Sequence, residues 1–154
     1  MATRRGGTYK RIATTSRNTA AARKLTAGTT YYFKVRAYKT VNGKRKYTAF
    51  TKAMAVSTKL TQPKFTSAKS QKKGRVTLKW KRDSKAAGYR IYVKKAGSSK
   101  FKFVRDLTGN RRTTYTLKGL KSKKYVSVRI RSFKTVNGER LYSPLSKTIR
   151  IRVK

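Results

Sequence analysis

The chain contains no cysteine and no histidine, and only three of its 154 residues carry a carboxylate: Asp83, Asp106 and Glu139. Without cysteine there is no disulfide, so each core must hold itself by packing. The same absence says nothing of compartment, because a cysteine-free β-sandwich works inside or outside a cell. With no histidine there is no ready general base, and with no cysteine no thiolate nucleophile. Three carboxylates on three different segments cannot build a metal site or a catalytic carboxylate pair. No serine sits in a strained elbow motif, and neither a phosphate loop of the GxxxxGK type nor a dinucleotide fingerprint occurs. The chain is therefore expected to be non-enzymatic, with no cofactor and no metal. No apolar run approaches the ~18 residues of a membrane-spanning helix. The N-terminus, MATRRGGTYK, is basic but has no apolar stretch behind it, so it is not a signal peptide. If the protein is secreted, this chain is expected to be a piece of something longer.

What is present in excess is positive charge. Lysine and arginine number 44, and the formal net charge is +41. Self-repulsion on this scale costs stability, and nearby anions relieve it. The charge is either a solvated surface or the counterpart of an anionic partner: nucleic acid, a phosphate-rich polymer or an acidic surface. Hydrophobic residues make up 36% of the chain and are rich in Tyr, Val, Ile and Phe. That suits a β-sandwich, which needs apolar side chains on only one face of each sheet.

One stretch occurs twice. Residues 31–47 read YYFKVRAYKTVNGKRKY and residues 126–142 read VSVRIRSFKTVNGERLY, so the shared KTVNG recurs at an offset of 95 residues. A repeat of that length is one small domain rather than a solenoid unit. In the first copy Tyr31, Phe33, Val35 and Ala37 alternate with Lys34 and Arg36. In the second, Val126, Val128, Ile130 and Ser132 alternate with Arg129 and Arg131. Period-two alternation predicts half-buried strands. Asn42-Gly43 and Asn137-Gly138, which tolerate positive φ, predict hairpin turns. Further alternating runs follow, with Met54, Val56 and Thr58 in the first copy and Ile149, Ile151 and Val153 in the second.

The remaining segments predict short strands. In the first unit these lie at 8–15, 20–25, 29–39 and 50–59. In the second, Val76, Leu78 and Trp80 face in from 75–82, and Tyr89, Ile91 and Val93 from 89–94. Residues 100–107 carry Phe101, Phe103 and Val104, residues 113–120 carry Tyr115, Leu117 and Leu120, and a first strand lies at 64–70. Pro63 in 60–63 marks a linker or edge position. The expected organisation is a partial unit over residues 1–59, a linker at 60–63 and a complete unit over residues 64–154. Short strands punctuated by turns read as an all-β, immunoglobulin-like antiparallel β-sandwich.

Residues 61–154 resemble a fibronectin type III domain. The carriers are Trp80 in VTLKW, the GYRIYV strand, Leu120, and VSVRIRSFKTVNG. In the first unit, Leu25 and Tyr31 are similar to the family's leucine-then-tyrosine corner. The second unit departs from it, because Val126 holds the tyrosine place. The Lys- and Thr-rich RAYKTVNGK style is similar to tandem repeats of secreted Gram-positive surface proteins. The resemblance implies a spacer or binding module outside the cell or at its surface. It also marks the first unit as lacking everything equivalent to residues 64–94. That unit is cut from a longer repeat protein, is completed by strands of a partner chain, or pairs with another half-unit.

The candidate site is a surface. The third, sixth and seventh strands of the second unit are expected to be neighbours, turning Arg90, Tyr92, Lys94, Arg129, Arg131, Arg150 and Arg152 outward as a polyanion platform. The opposite sheet offers Arg75, Lys79, Lys81 and Lys118, and the hairpin loops Arg45, Lys46 and Arg140. Two readings of function stay open: an extracellular structural or adhesion module held electrostatically on an anionic wall polymer, glycan or host surface, and a non-specific nucleic-acid-binding protein. No recognition helix and no aromatic row on one exposed face is expected, which argues against sequence-specific or single-strand recognition.

Overall fold

The structure, a computed structural model, describes residues 1–136 and 138–154. Among the described residues every regular element is a strand, and the chain divides into two compact units, Met1–Thr58 and Lys59–Lys154.

The second unit is a two-sheet sandwich. One sheet has the order β5 (Phe65–Lys69), β6 (Val76–Trp80), β9 (Thr114–Leu117). The other runs β11 (Glu139–Tyr142), β10 (Tyr125–Val136), β7 (Gly88–Lys95), β8 (Lys102–Thr108), with β12 (Ile149–Arg152) also pairing β10. All of these pairs are antiparallel. The alternation read from the sequence sets the core. Val76, Leu78 and Trp80 of β6 meet Tyr89, Ile91 and Val93 of β7 and Val126, Val128 and Ile130 of β10, with Leu107, Leu117, Leu120 and Val153 closing the cluster. Tyr89, fully buried, packs edge-on against Trp80 with centroids 5.4 Å apart. Its hydroxyl accepts from the Asp83 N–H and donates to the Asn110 carbonyl, which satisfies a polar tip inside an apolar core. Burial pushes the Tyr89 hydroxyl above its ordinary pKa.

The strand expected over 100–107 is β8. A bulge between Ile91 and Tyr92 shifts the β7–β8 register, so Tyr92 pairs with Phe103 and Arg90 with Asp106. Phe103 and Val104 are exposed, and Leu107 is the residue that enters the core. A bulged strand places one extra residue against its partner, so simple alternation reads the wrong face beyond it. Residues 60–63 also differ from a free linker. They belong to the second unit, Leu60 and Pro63 are buried, and the Gln62 amide donates to the Leu145 carbonyl.

The final strand of each repeat is interrupted, and both repeats mend the gap in the same way. In the second unit the chain leaves β10 between β11 and β12 around Pro144. The Ser143 and Ser146 hydroxyls accept from the Ser132 and Ile130 N–H groups, each at 3.0 Å. In the first unit, at the same offset, Thr48 and Thr51 accept from Ala37 and Val35, again at 3.0 Å. The hydroxyls stand in for the missing ladder acceptors.

The first unit holds β1 (Thr30–Phe33) paired with β4 (Met54–Ser57), and a hairpin of β2 (Tyr38–Val41) with β3 (Lys44–Tyr47). Asn42 and Gly43 turn that hairpin with φ of 50° and 72°. In the second unit Gly138 also has positive φ, and Asn137 lies outside the described residues. The strands expected at 8–15 and 20–25 are not formed, and the single strand expected over 29–39 is split. The equivalent β10 runs twelve residues because β7 pairs along it. In the first unit only Ala2 bridges that edge of β1, through reciprocal bonds with Tyr32. Val35, Met54 and Val56 are exposed, whereas their counterparts Ile130, Ile149 and Ile151 pack in the core or against it. The Tyr31 hydroxyl does make the corner expected of it, accepting from the Thr26 N–H at 2.9 Å. In the second unit Val126 is buried in the core and Tyr125 is exposed.

Amides of β1 and β4 are therefore expected to exchange with solvent about a hundredfold or more faster than those of β6, β7 and β10, as measured by hydrogen exchange. Equal protection would show that the first unit carries a core of its own.

Candidate cationic face

The register of β7, β10 and β12 brings all seven sequence-predicted residues onto one sheet face. Tyr92 lies opposite Arg129, Arg90 opposite Arg131, Lys94 opposite Ser127, Arg150 opposite Ser127, and Arg152 opposite Tyr125. Neighbouring strands are about 4.8 Å apart, so these cations repel unless something intervenes.

What intervenes is an aromatic row that alternation did not reveal. The Arg131 guanidinium lies 3.7 Å from the Tyr142 ring centroid and 5.2 Å from that of Tyr92. Arg90 lies 5.0 Å from both Phe103 and Tyr142. Arg129 covers Phe101 at 4.5 Å and donates from Nε to the Thr148 hydroxyl. Arg150 covers Tyr125 at 4.1 Å. Each such contact contributes about 0.5–1 kcal/mol at an exposed site and holds the cation apart from its neighbours. The expected absence of an aromatic row is thus corrected. The row includes Phe101 and Phe103, which the bulge turned outward, and its ring faces are covered by the chain's own cations. The first unit repeats the device, with Arg36 lying 3.9 Å from the Tyr47 centroid and 4.6 Å from that of Phe50. The shared position of Tyr47 and Tyr142 after the Asn-Gly turn was the signal available in the sequence.

The face is not uniform. Asp106 takes Arg90 in a bidentate pair, Nε to Oδ1 at 2.7 Å and Nη2 to Oδ2 at 2.8 Å, and also takes Arg140. Hydrogen bonds from Arg90, then from Arg140, hold the Asp106 carboxyl below the usual carboxylate range, and Arg90 is pushed up in turn. Arg90 is therefore neutralised within the chain, and Arg131 is packed between rings. Arg129, Arg150, Arg152 and Lys94 have no carboxylate partner among the described residues. The opposite sheet presents a Thr77–Thr116 hydroxyl pair at 3.1 Å and exposed Arg75, Lys79, Lys81 and Lys118, with no comparable stacking.

Because the folded pKa of Asp106 is depressed, its contribution is present above the unfolded value of about 3.9 and is lost as pH falls through the lower folded value. Asp106→Asn is expected to cost about 1–2 kcal/mol at neutral pH. It should also flatten the loss of stability below about pH 4, seen in denaturant unfolding at several pH values. An unchanged acid limb would show that the ion pair contributes nothing.

Residues 61–149 match the family model described as the fibronectin type III domain. No curated protein matches the sequence. Among solved structures, a two-domain fibronectin type III segment of chicken tenascin is similar at a TM-score of 0.60 and 22% identity, over 85% of this chain and 69% of that one. The FN1–FN3 domains of chicken CNTN1 are similar at 0.52 and 19% identity, over 88% of this chain, which spans 44% of theirs. At such identities the likeness carries the fold. Among the described residues, no helix is long and apolar enough to cross a membrane.

Proposed function

The chain belongs to the fibronectin type III family, and from that premise we propose that it is a non-enzymatic extracellular structural and adhesion module held electrostatically on an anionic wall polymer or host surface. One observation carries the reading. Lys94, Arg129, Arg150 and Arg152 share one sheet face, and the only carboxylate on β7 or β8, Asp106, is occupied by Arg90 and Arg140. A chain of net charge +41 gains by releasing counterions from such a polymer. The family premise and the absence of histidine and cysteine both support a module without catalysis.

Non-specific nucleic-acid binding is the second reading, favoured by the aromatic row. It is weakened because those rings are stacked against arginines rather than open to bases.

The test compares a poly(glycerol phosphate) polymer with duplex DNA at near-physiological salt. Two variants lose equal charge: Arg129→Ser/Arg150→Ser/Arg152→Ser, and Lys79→Ser/Lys81→Ser/Lys118→Ser. The first is expected to weaken polymer binding about tenfold or more and the second about twofold, because stacked, positioned arginines contribute more than diffuse lysines. Equal losses in both variants, and equal affinity for polymer and DNA, would reduce the interaction to bulk charge.

A further inference from the structure

The division of the cationic face leaves its open charge at one end, and that end is concave. A cleft of about 610 Å³ lies where the β7–β8 turn, the turn before β10, and β12 meet. Its lining includes Lys94, Lys95, Lys123, Lys124, Arg150 and Ser127, and no carboxylate. Lys95, Lys123 and Lys124 were not among the sequence-predicted residues.

The backbone holds this ring of cations in place. Lys123 adopts a left-handed φ of 61°, which costs energy for a residue with a Cβ. Its N–H donates to the Val153 carbonyl, and the Val153 N–H donates to the Lys124 carbonyl, at 2.8 and 2.9 Å. These bonds tie the turn to the end of β12. Opposite, Gly97 at φ 79° closes a turn in which the Ser98 N–H donates to the Lys95 carbonyl. The Tyr125 ring backs the Arg150 guanidinium at 4.1 Å.

Across the sheet, Ser127 lies between Lys94 and Arg150. Strand spacing puts those two cations' Cα atoms about 10 Å apart, and the short serine leaves a notch between their long side chains. Compact, multiply charged oxyanions fit such a notch. A phosphate monoester, as at the end of a phosphate polymer, spreads about 1.5–2 negative charges over three acceptor oxygens, more charge than a carboxylate, a sulfate ester or a chain phosphodiester carries.

We propose that this cleft is a phosphoryl-binding subsite, taking a terminal phosphate monoester of the anionic polymer while the remaining arginines follow its chain. The assignment deepens the polyanion reading above and depends on it.

The probe is tripolyphosphate, titrated calorimetrically into the full chain at near-physiological salt. A short sulfated oligosaccharide and long poly(glycerol phosphate) run in parallel. Lys94→Ser/Lys123→Asn/Lys124→Ser removes three of the five cations lining the cleft, with asparagine chosen because it tolerates the left-handed turn. Arg129→Ser/Arg152→Ser/Lys79→Ser removes equal charge elsewhere. Tripolyphosphate affinity is expected to fall about tenfold or more in the first and about twofold or less in the second, with the sulfated probe weaker throughout. Equal losses in the two variants overturn the cleft, as does a sulfated probe that binds as tightly. If the long polymer still binds in that case, the broader association survives and only the subsite falls. A chain that binds neither tripolyphosphate nor the long polymer overturns both.

Discussion

Trp80→Ala is expected to cost the second unit about 4 kcal/mol, against about 1 kcal/mol for Trp80→Phe. Trp80 is 3% exposed, packs edge-on to Tyr89 and faces Phe65 across the β5–β6 pair. Truncation to alanine opens a cavity between the two sheets, where Val76, Leu78 and Tyr89 are held by neighbours on both sides and cannot collapse inward. Phenylalanine keeps most of that contact. It also removes an indole N–H that is buried without a hydrogen-bond partner, which offsets part of the lost area. Domains of this size have about 5–15 kcal/mol of stability in all, so the alanine variant should sit near its unfolding threshold at room temperature. Because the chain has one tryptophan, denaturant unfolding is followed by circular dichroism rather than fluorescence. Similar midpoints for the alanine and phenylalanine variants would show that the site relaxes around a void.

Gly88→Ala is expected to cost about 3 kcal/mol or more, from close backbone approach rather than from torsion. Gly88 lacks a left-handed φ. A Cβ there would lie 2.3 Å from the Leu107 carbonyl oxygen and 2.7 Å from the Phe133 ring. The first atom is backbone, so β7 and β8 would have to separate. That would strain the Ala87 and Gly109 bonds at the end of the pair. Phe133 would lose its seat, and with it the edge contact to Tyr142 at 6.3 Å on which Arg131 stacks. The variant should therefore lose both thermal stability and part of its polymer affinity. Wild-type stability would show that the strand ends accommodate the methyl group freely.

These two positions also mark where sequence reasoning was strong and where it was not. Trp80 was legible as core because it completes an alternation with Val76 and Leu78, and such a run has one apolar face to bury. Nothing local to Gly88 announces that a carbonyl and a ring from other strands close over it. The face divided in the same way. Arg129 and Arg131 were legible as outward from their neighbours Val128 and Ile130. The rings Phe101 under Arg129 and Phe103 under Arg90 were placed on a strand but on neither face, because the register shift opposite Tyr92 decides their side. In the first unit Tyr31 and Phe33 turn inward as their alternation predicted, but Val35 and Ala37 are exposed and the strand is not continuous. A strand's length depends on partners along its edges, and there only Ala2 bridges the edge that β7 fills in the second unit.

By itself the sequence determined the all-β class, the repeat and its 95-residue offset, the core of the second unit, the cationic excess and the absence of histidine and cysteine, because all of these follow from residue identity and local period. Only the tertiary structure decided which cations Asp106 neutralises, which are stacked on rings, and which line an open cleft. Those outcomes depend on register between strands far apart in the chain, and a single bulge is enough to change it.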